Sequence, residues 1–188
     1  MNLIQRVQDI LLKPKETWPV IAQESGDVAS IYKQYVLPVA AIPAVAQLLG
    51  MAFLGFRFLG VGLGVAVVSY LLSLAIVYAL ALIANALAPS FGGTKNMLNA
   101  FKLTVYASTA SWVGGIFYLI PTLGALAILA SLYGIYLIYT GIPVMMKSPP
   151  EKAPAYTAVI IVCGIVAMVV VGAVLGSAFP YGMMMRLH

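Results

Sequence analysis

The chain has 188 residues and a net charge of +5; 63% of its residues are hydrophobic and only 8% are charged. Soluble domains carry about 25% charged residues, so 10 basic and 5 acidic side chains cannot cover a protein of this length in water. A water-soluble globular domain is excluded, and lipid must meet most of the surface.

Taken in chain order, residues 1–34 form a local unit of their own. Leu3, Ile4, Val7, Ile10 and Leu11 recur at helical spacing on one face, with Gln5, Arg6, Gln8 and Asp9 on the others. Pro14 ends this helix, because the residue before a proline is pushed out of helical geometry. Trp18 beside Pro19 suits the headgroup layer, where an amphipathic ring meets both lipid and water. These residues predict an amphipathic interfacial helix whose membrane-facing set is Leu3, Ile4, Val7, Ile10, Leu11 and Trp18. A short helix packed under the bundle has the same stripe, since apolar spacing does not say whether its neighbour is lipid or protein.

Five apolar stretches follow, near 35–56, 59–88, 101–120, 123–146 and 156–179. A helix needs about 20 such residues to cross the hydrocarbon core. Strands of a membrane barrel would alternate apolar with polar residues, whereas Val159-Ile160-Ile161-Val162 is apolar on every side. The expected fold is therefore all-α: a cytoplasmic amphipathic segment (1–34) followed by a five-helix transmembrane bundle (35–188). Basic residues give the orientation. Arg6, Lys13, Lys15, Lys33, Lys95, Lys102, Lys147 and Lys152 fall on one side of the expected crossings, and only Arg57 and Arg186 on the other. The positive-inside bias places the N-terminus in the cytoplasm and the C-terminus outside. Arg57 and Lys102 are both expected near helix ends, where a long side chain can reach the interface. No stretch reads as a cleavable presequence.

Several local motifs keep a fixed order along the chain. Lys13-Pro14-Lys15-Glu16-Thr17-Trp18 precedes the apolar part, Tyr35-Val36-Leu37-Pro38 opens it, and Ile42-Pro43 follows. Phe91-Gly92-Gly93 lies after the second stretch, Lys102 and Tyr106-Ala107 open the third, and Tyr136 to Pro143 ends the fourth. In these motifs the whole chain resembles a bacterial member of the Yip1 domain family. The resemblance implies a five-crossing integral membrane protein with a cytoplasmic N-terminus. Eukaryotic members are linked to Golgi and endoplasmic-reticulum vesicle traffic and to prenylated small GTPases. This sequence departs from that branch, with no Asp-Leu-Tyr-Gly-Pro type motif and a short cytoplasmic segment. The resemblance carries over no catalytic residue.

The residues themselves argue against chemistry. Asp9, Glu16, Glu24, Asp27 and Glu151 all lie outside the five stretches, His188 is the sole histidine and Cys163 the sole cysteine. No converging carboxylate, imidazole or thiolate set suggests a catalytic, cofactor or metal site, and no clustered basic face suggests nucleic acid. A proton-coupled carrier would hold an ionisable group at mid-membrane depth. The polar positions within the stretches are mild: Ser73, Asn85, Ser108, Tyr133, Tyr136 and Tyr139 are candidates for facing other helices, as hydrogen-bond partners or as the lining of a hydrated cleft. Gly60 with Gly64, and Gly172 with Gly176, are candidate packing surfaces for close helix approach, within the bundle or in a homo-oligomer. The reading is a non-enzymatic, multi-pass protein of the plasma (inner) membrane, with the bilayer and membrane or cytoplasmic proteins as partners. Its expected role is membrane organiser or recruiter, with a small-solute or ion transporter as the alternative.

Overall fold

The computed structural model describes residues 2–54 and 59–178, all helices and short connections. Helix α1 (Leu3–Leu12) is capped by Asn2, whose side chain accepts from the Ile4 amide at 3.2 Å. It stops before Pro14, which takes the first position of α2 (Pro14–Gln23), where its missing N–H costs nothing. The Thr17 hydroxyl fixes the corner, 2.7 Å from the Lys13 carbonyl and 3.0 Å from that of Asp9. A capping box between Asp27 and Ser30 starts α3 (Val28–Ile31). One wide π-helical turn (Tyr32–Val36) carries α3 into α4 (Leu37–Leu54), and the three run as one long helix.

Helix α5 (Leu59–Leu87) tightens into a 3₁₀ turn at Ala88–Phe91. The chain reverses there at Gly92, whose φ of +70° is a left-handed conformation that glycine adopts without a Cβ penalty. Helix α6 (Met97–Gly114) leads through 3₁₀ turns (Gly115–Leu119 and Pro121–Leu123) to α7 (Leu126–Met145), and α8 (Ala153–Ala178) ends the described chain. The two connections flanking α6 and α8 are tied together. The Thr94 amide donates to the Met146 carbonyl at 2.8 Å, and the Ser148 hydroxyl to that of Phe91 at 2.6 Å.

Among the described residues four helices, not five, are long and apolar enough to cross a membrane: Val28–Ala52, Gly62–Phe91, Leu126–Met145 and Pro150–Ser177. The third expected crossing, 101–120, overturns the five-crossing count. Its residues form α6 and the following turn, but 12 of the 18 residues of α6 are buried. It is packed by α4, α5 and α7, with α1 across its flank. Protein rather than lipid surrounds α6, so it can carry Asn99, Lys102, Thr104 and Thr109 where a lipid-facing helix could not. The first long helix also begins earlier than position 35, at Val28. Arg57 and Arg186, and the ends of the first and fifth stretches, lie outside the described residues.

Candidate functional site

The N-terminal helices are bolted to the bundle by polar contacts, and these contacts define the site. On α1, Ile10 is fully buried, Leu3, Val7 and Leu11 pack partly against the core, and Ile4 is 64% exposed. The Tyr133 hydroxyl of α7 donates to the Leu11 carbonyl at 2.7 Å. On α2, Trp18 is fully buried, and its indole N–H donates to the Thr140 hydroxyl at 3.2 Å. Gly141 makes room for this ring: a Cβ there would stand 2.8 Å from Trp18 Cε2 and 2.6 Å from Leu103 Cδ1.

The third bolt is Lys102 of α6. It is 2% exposed, and its ammonium donates to the Ile21 carbonyl at 2.9 Å and the Glu24 carbonyl at 2.6 Å, holding the end of α2. The acceptors that Lys102 reaches are the carbonyls of a docked helix end. Burial holds this ammonium below its usual pKa because the charged form has lost its water; the Glu24 charge opposes the shift and Arg6 adds to it.

Beside Lys102 lies Arg6, which the spacing places on a polar face of α1. It is in fact 5% exposed, because it sits three and four residues from Leu3 and Ile10 on the side that turns inward. Arg6 Nη2 forms an ion pair with Glu24 Oε1. Its guanidinium carbon stands 5.7 Å from the centroid of the Tyr106 ring, a cation–π distance. Its Nη1 is buried with no hydrogen-bond partner among the described residues. Together these groups border a polar pocket of about 540 Å³ between α1, the 24–27 connection, the π-helical turn and α6. The π-helical turn brings Tyr35 inward, where its hydroxyl meets that of Thr109 at 2.8 Å.

The polar positions singled out from the sequence do not converge on one cleft. Ser73 and Ser108 bond back to carbonyls of their own helices, at 2.7 and 2.8 Å. Asn85 Oδ1 is buried without a partner among the described residues. Tyr133 reaches α1, its ring centroid 5.5 Å from that of Tyr136, while Tyr136 and Tyr139 are exposed on α7. Ser73 alone borders a second cavity, of about 480 Å³, with Gln47, Ser69, Tyr70 and Trp112. Among the described residues, nothing occupies the space where a Cβ on Gly60, Gly172 or Gly176 would stand. The tight glycines are others. A Cβ at Gly114 would meet the Ala130 Cβ at 2.2 Å, and one at Gly50 the Tyr118 carbonyl oxygen at 2.4 Å.

Sequence reasoning passed over Arg6 and Glu24 as members of a site. The available signal was Arg6 itself, a charge at helical spacing within an apolar stripe. Among the described residues, no group of three or more His, Cys, Asp or Glu side chains is placed to hold a metal ion.

A helical bundle with several long apolar helices and a docked amphipathic N-terminus is a multi-pass membrane protein. Residues 9–171 match the Yip1 domain, and the chain belongs to the Yip1 domain family. It is 22% identical over 191 residues to the inner membrane protein YohC of Escherichia coli strain K12, covering 95% of this chain and 98% of the relative. YohC of Escherichia coli O6:H1 (strain CFT073) matches to the same extent. No solved structure matches.

Proposed function

We propose that this non-enzymatic, integral inner-membrane protein organises its surroundings by recruiting partners to a platform built from α1, α2 and the adjoining connections. The observation that carries this reading is the fixed N-terminal layer. Lys102, Trp18 and Tyr133 hold its backbone to the bundle, and Ile4, Leu12 and Val20 remain exposed on it beside the exposed Lys13 and Lys15. A rigid surface that presents apolar and basic residues together can dock a protein segment at the membrane face with little loss of entropy on binding.

The platform faces the cytoplasm. Lys13, Lys15, Lys33, Lys95, Lys147 and Lys152 are exposed on elements at the end of the bundle that holds the platform, which supports this orientation by the positive-inside rule. In a Cys163→Ser background, cysteines at Lys95 and Lys147 should resist an impermeant thiol reagent on whole cells. Labelling of either would reverse the orientation.

Photocrosslinkers at Leu12 and Val20 should trap protein adducts in cells, whereas the same group at Val169, on the bare part of α8, should trap lipid. Lipid adducts alone at all three positions would end the recruiting role. The cavity with Gln47, Ser69 and Tyr70 supports a second reading, a small-solute carrier; flux in proteoliposomes that Gln47→Leu abolishes would favour it over recruitment.

A further inference from the structure

We infer that the polar pocket under α1 is a binding site for a phosphate group, held between the Arg6 guanidinium and the Lys102 ammonium. The inference does not depend on the recruiting role.

Charge is the first argument. Two cations that have lost nearly all their water stand against one carboxylate, Glu24, which is itself 36% exposed. A brace for the N-terminal layer needs only one base for that acid, and a second buried cation is costly unless something balances it. Hydrogen bonding is the second. Among the described residues Arg6 Nη1 is buried with no acceptor, although each guanidinium N–H seeks one. Lys102 spends two of its three protons on carbonyls, leaving one free for a ligand.

A phosphate supplies what is missing: negative charge and several oxygens, one for the Arg6 fork and another for the ammonium. Gln23 and Gln34 line the same space and offer neutral donors to the remaining oxygens. The volume, about 540 Å³, falls in the range of roughly 300–1,000 Å³ for small-ligand sites. Depth is the third argument. Ser30, Ile31 and Gln34 belong to the first turns of the Val28–Ala52 helix, so the pocket opens where a membrane helix enters the headgroup layer. The phosphate can arrive there on a lipid or as a soluble ester.

The test uses the full chain purified in an uncharged detergent, with thermal unfolding as the readout. Inorganic phosphate is titrated against chloride at equal ionic strength, and phosphatidylglycerol against an uncharged galactolipid in mixed micelles. Stabilisation by inorganic phosphate assigns a soluble source, and stabilisation by phosphatidylglycerol alone assigns a lipid. Glu24→Gln frees Arg6 from its competing carboxylate, so the apparent affinity for the phosphate probe should rise by roughly tenfold, the scale of one charge-assisted hydrogen bond. Arg6→Gln should abolish the response. Should that variant not fold, Glu24→Gln still decides, because a purely structural ion pair predicts lower stability with no change in anion response. Equal stabilisation by chloride and phosphate together with no preference for phosphatidylglycerol, or no gain in Glu24→Gln, overturns the site.

Discussion

Helices α6 and α8 are both surrounded by apolar material, yet their compositions have little in common. In α8 no residue beyond Ile160 is buried among those described, and its side chains there are nearly all aliphatic. In α6 most residues are buried, and its polar atoms find fixed partners. Asn99 donates to the Met145 carbonyl at 3.2 Å, Thr104 to that of Val77 at 3.1 Å, and Lys102 to the end of α2. The difference lies in the solvent. Lipid tails offer no acceptor, so a helix bathed in them must be apolar all round. Neighbouring helices and docked segments offer carbonyls at fixed positions, so a helix bathed in protein can keep polar groups and use them as joints.

The largest blow to this contrast should come from Lys102→Met. The change removes two charged hydrogen bonds and leaves the Ile21 and Glu24 carbonyls without their donor, at about 3–5 kcal/mol. Loss of the folded transition in detergent, or a large fall in its midpoint, is the expected result. An unchanged midpoint would mean that α6 does not hold the N-terminal layer in place.

Gly141→Ala should come next. The new methyl would press on Leu103 of α6 and on the Trp18 ring together, and overpacking of this kind costs about 1–3 kcal/mol. Part of that is offset by the better helix propensity of alanine, about 1 kcal/mol. Trp18 fluorescence should shift with the midpoint, since the ring has to leave its slot. Tyr133→Phe is milder: it deletes one hydroxyl bond to the Leu11 carbonyl and should cost about 1 kcal/mol. It should raise hydrogen exchange in α1 while leaving that of α8 unaltered. Equal changes in both helices would show that the N-terminal layer and α8 are not separate units.

These sites also mark where the sequence was legible. Long apolar runs announced the helices, and Pro14 and Gly92-Gly93 announced breaks, because both signals are local. The third stretch was read as a crossing since its length and aliphatic content look like those of its neighbours. What separates it is Lys102, Thr104 and Thr109, and the meaning of those residues depends on partners 74 to 81 positions away for Thr109 and Lys102. Arg6 was hidden for a related reason: a rotation of the helix by part of a turn decides whether a charge faces water or the bundle, and spacing alone leaves that rotation free. The polar pocket joins residues from opposite ends of the first hundred positions, and no local pattern connects them.

The smallest expected effect lies on α8. Gly172 and Gly176 repeat at the four-residue spacing of a close-packing groove, yet nothing stands within 4 Å of a Cβ built on either. Among the described residues, the bundle leaves that surface uncovered. In lipid, Gly172→Ala and Gly176→Ala would add a methyl to an open face, and the helix itself would gain slightly from the better helix former. The midpoint of unfolding should stay within about 0.5 kcal/mol of the parent's, the usual range for a surface change away from special features. Both variants should also migrate as the parent does in size-exclusion chromatography with light scattering. A loss of several degrees with unchanged mass would place a neighbour from the same chain on that groove. A fall in mass would show that a second copy covers α8, so that its composition reports a protein contact after all, and the contrast with α6 would then rest on the kind of contact rather than on lipid against protein.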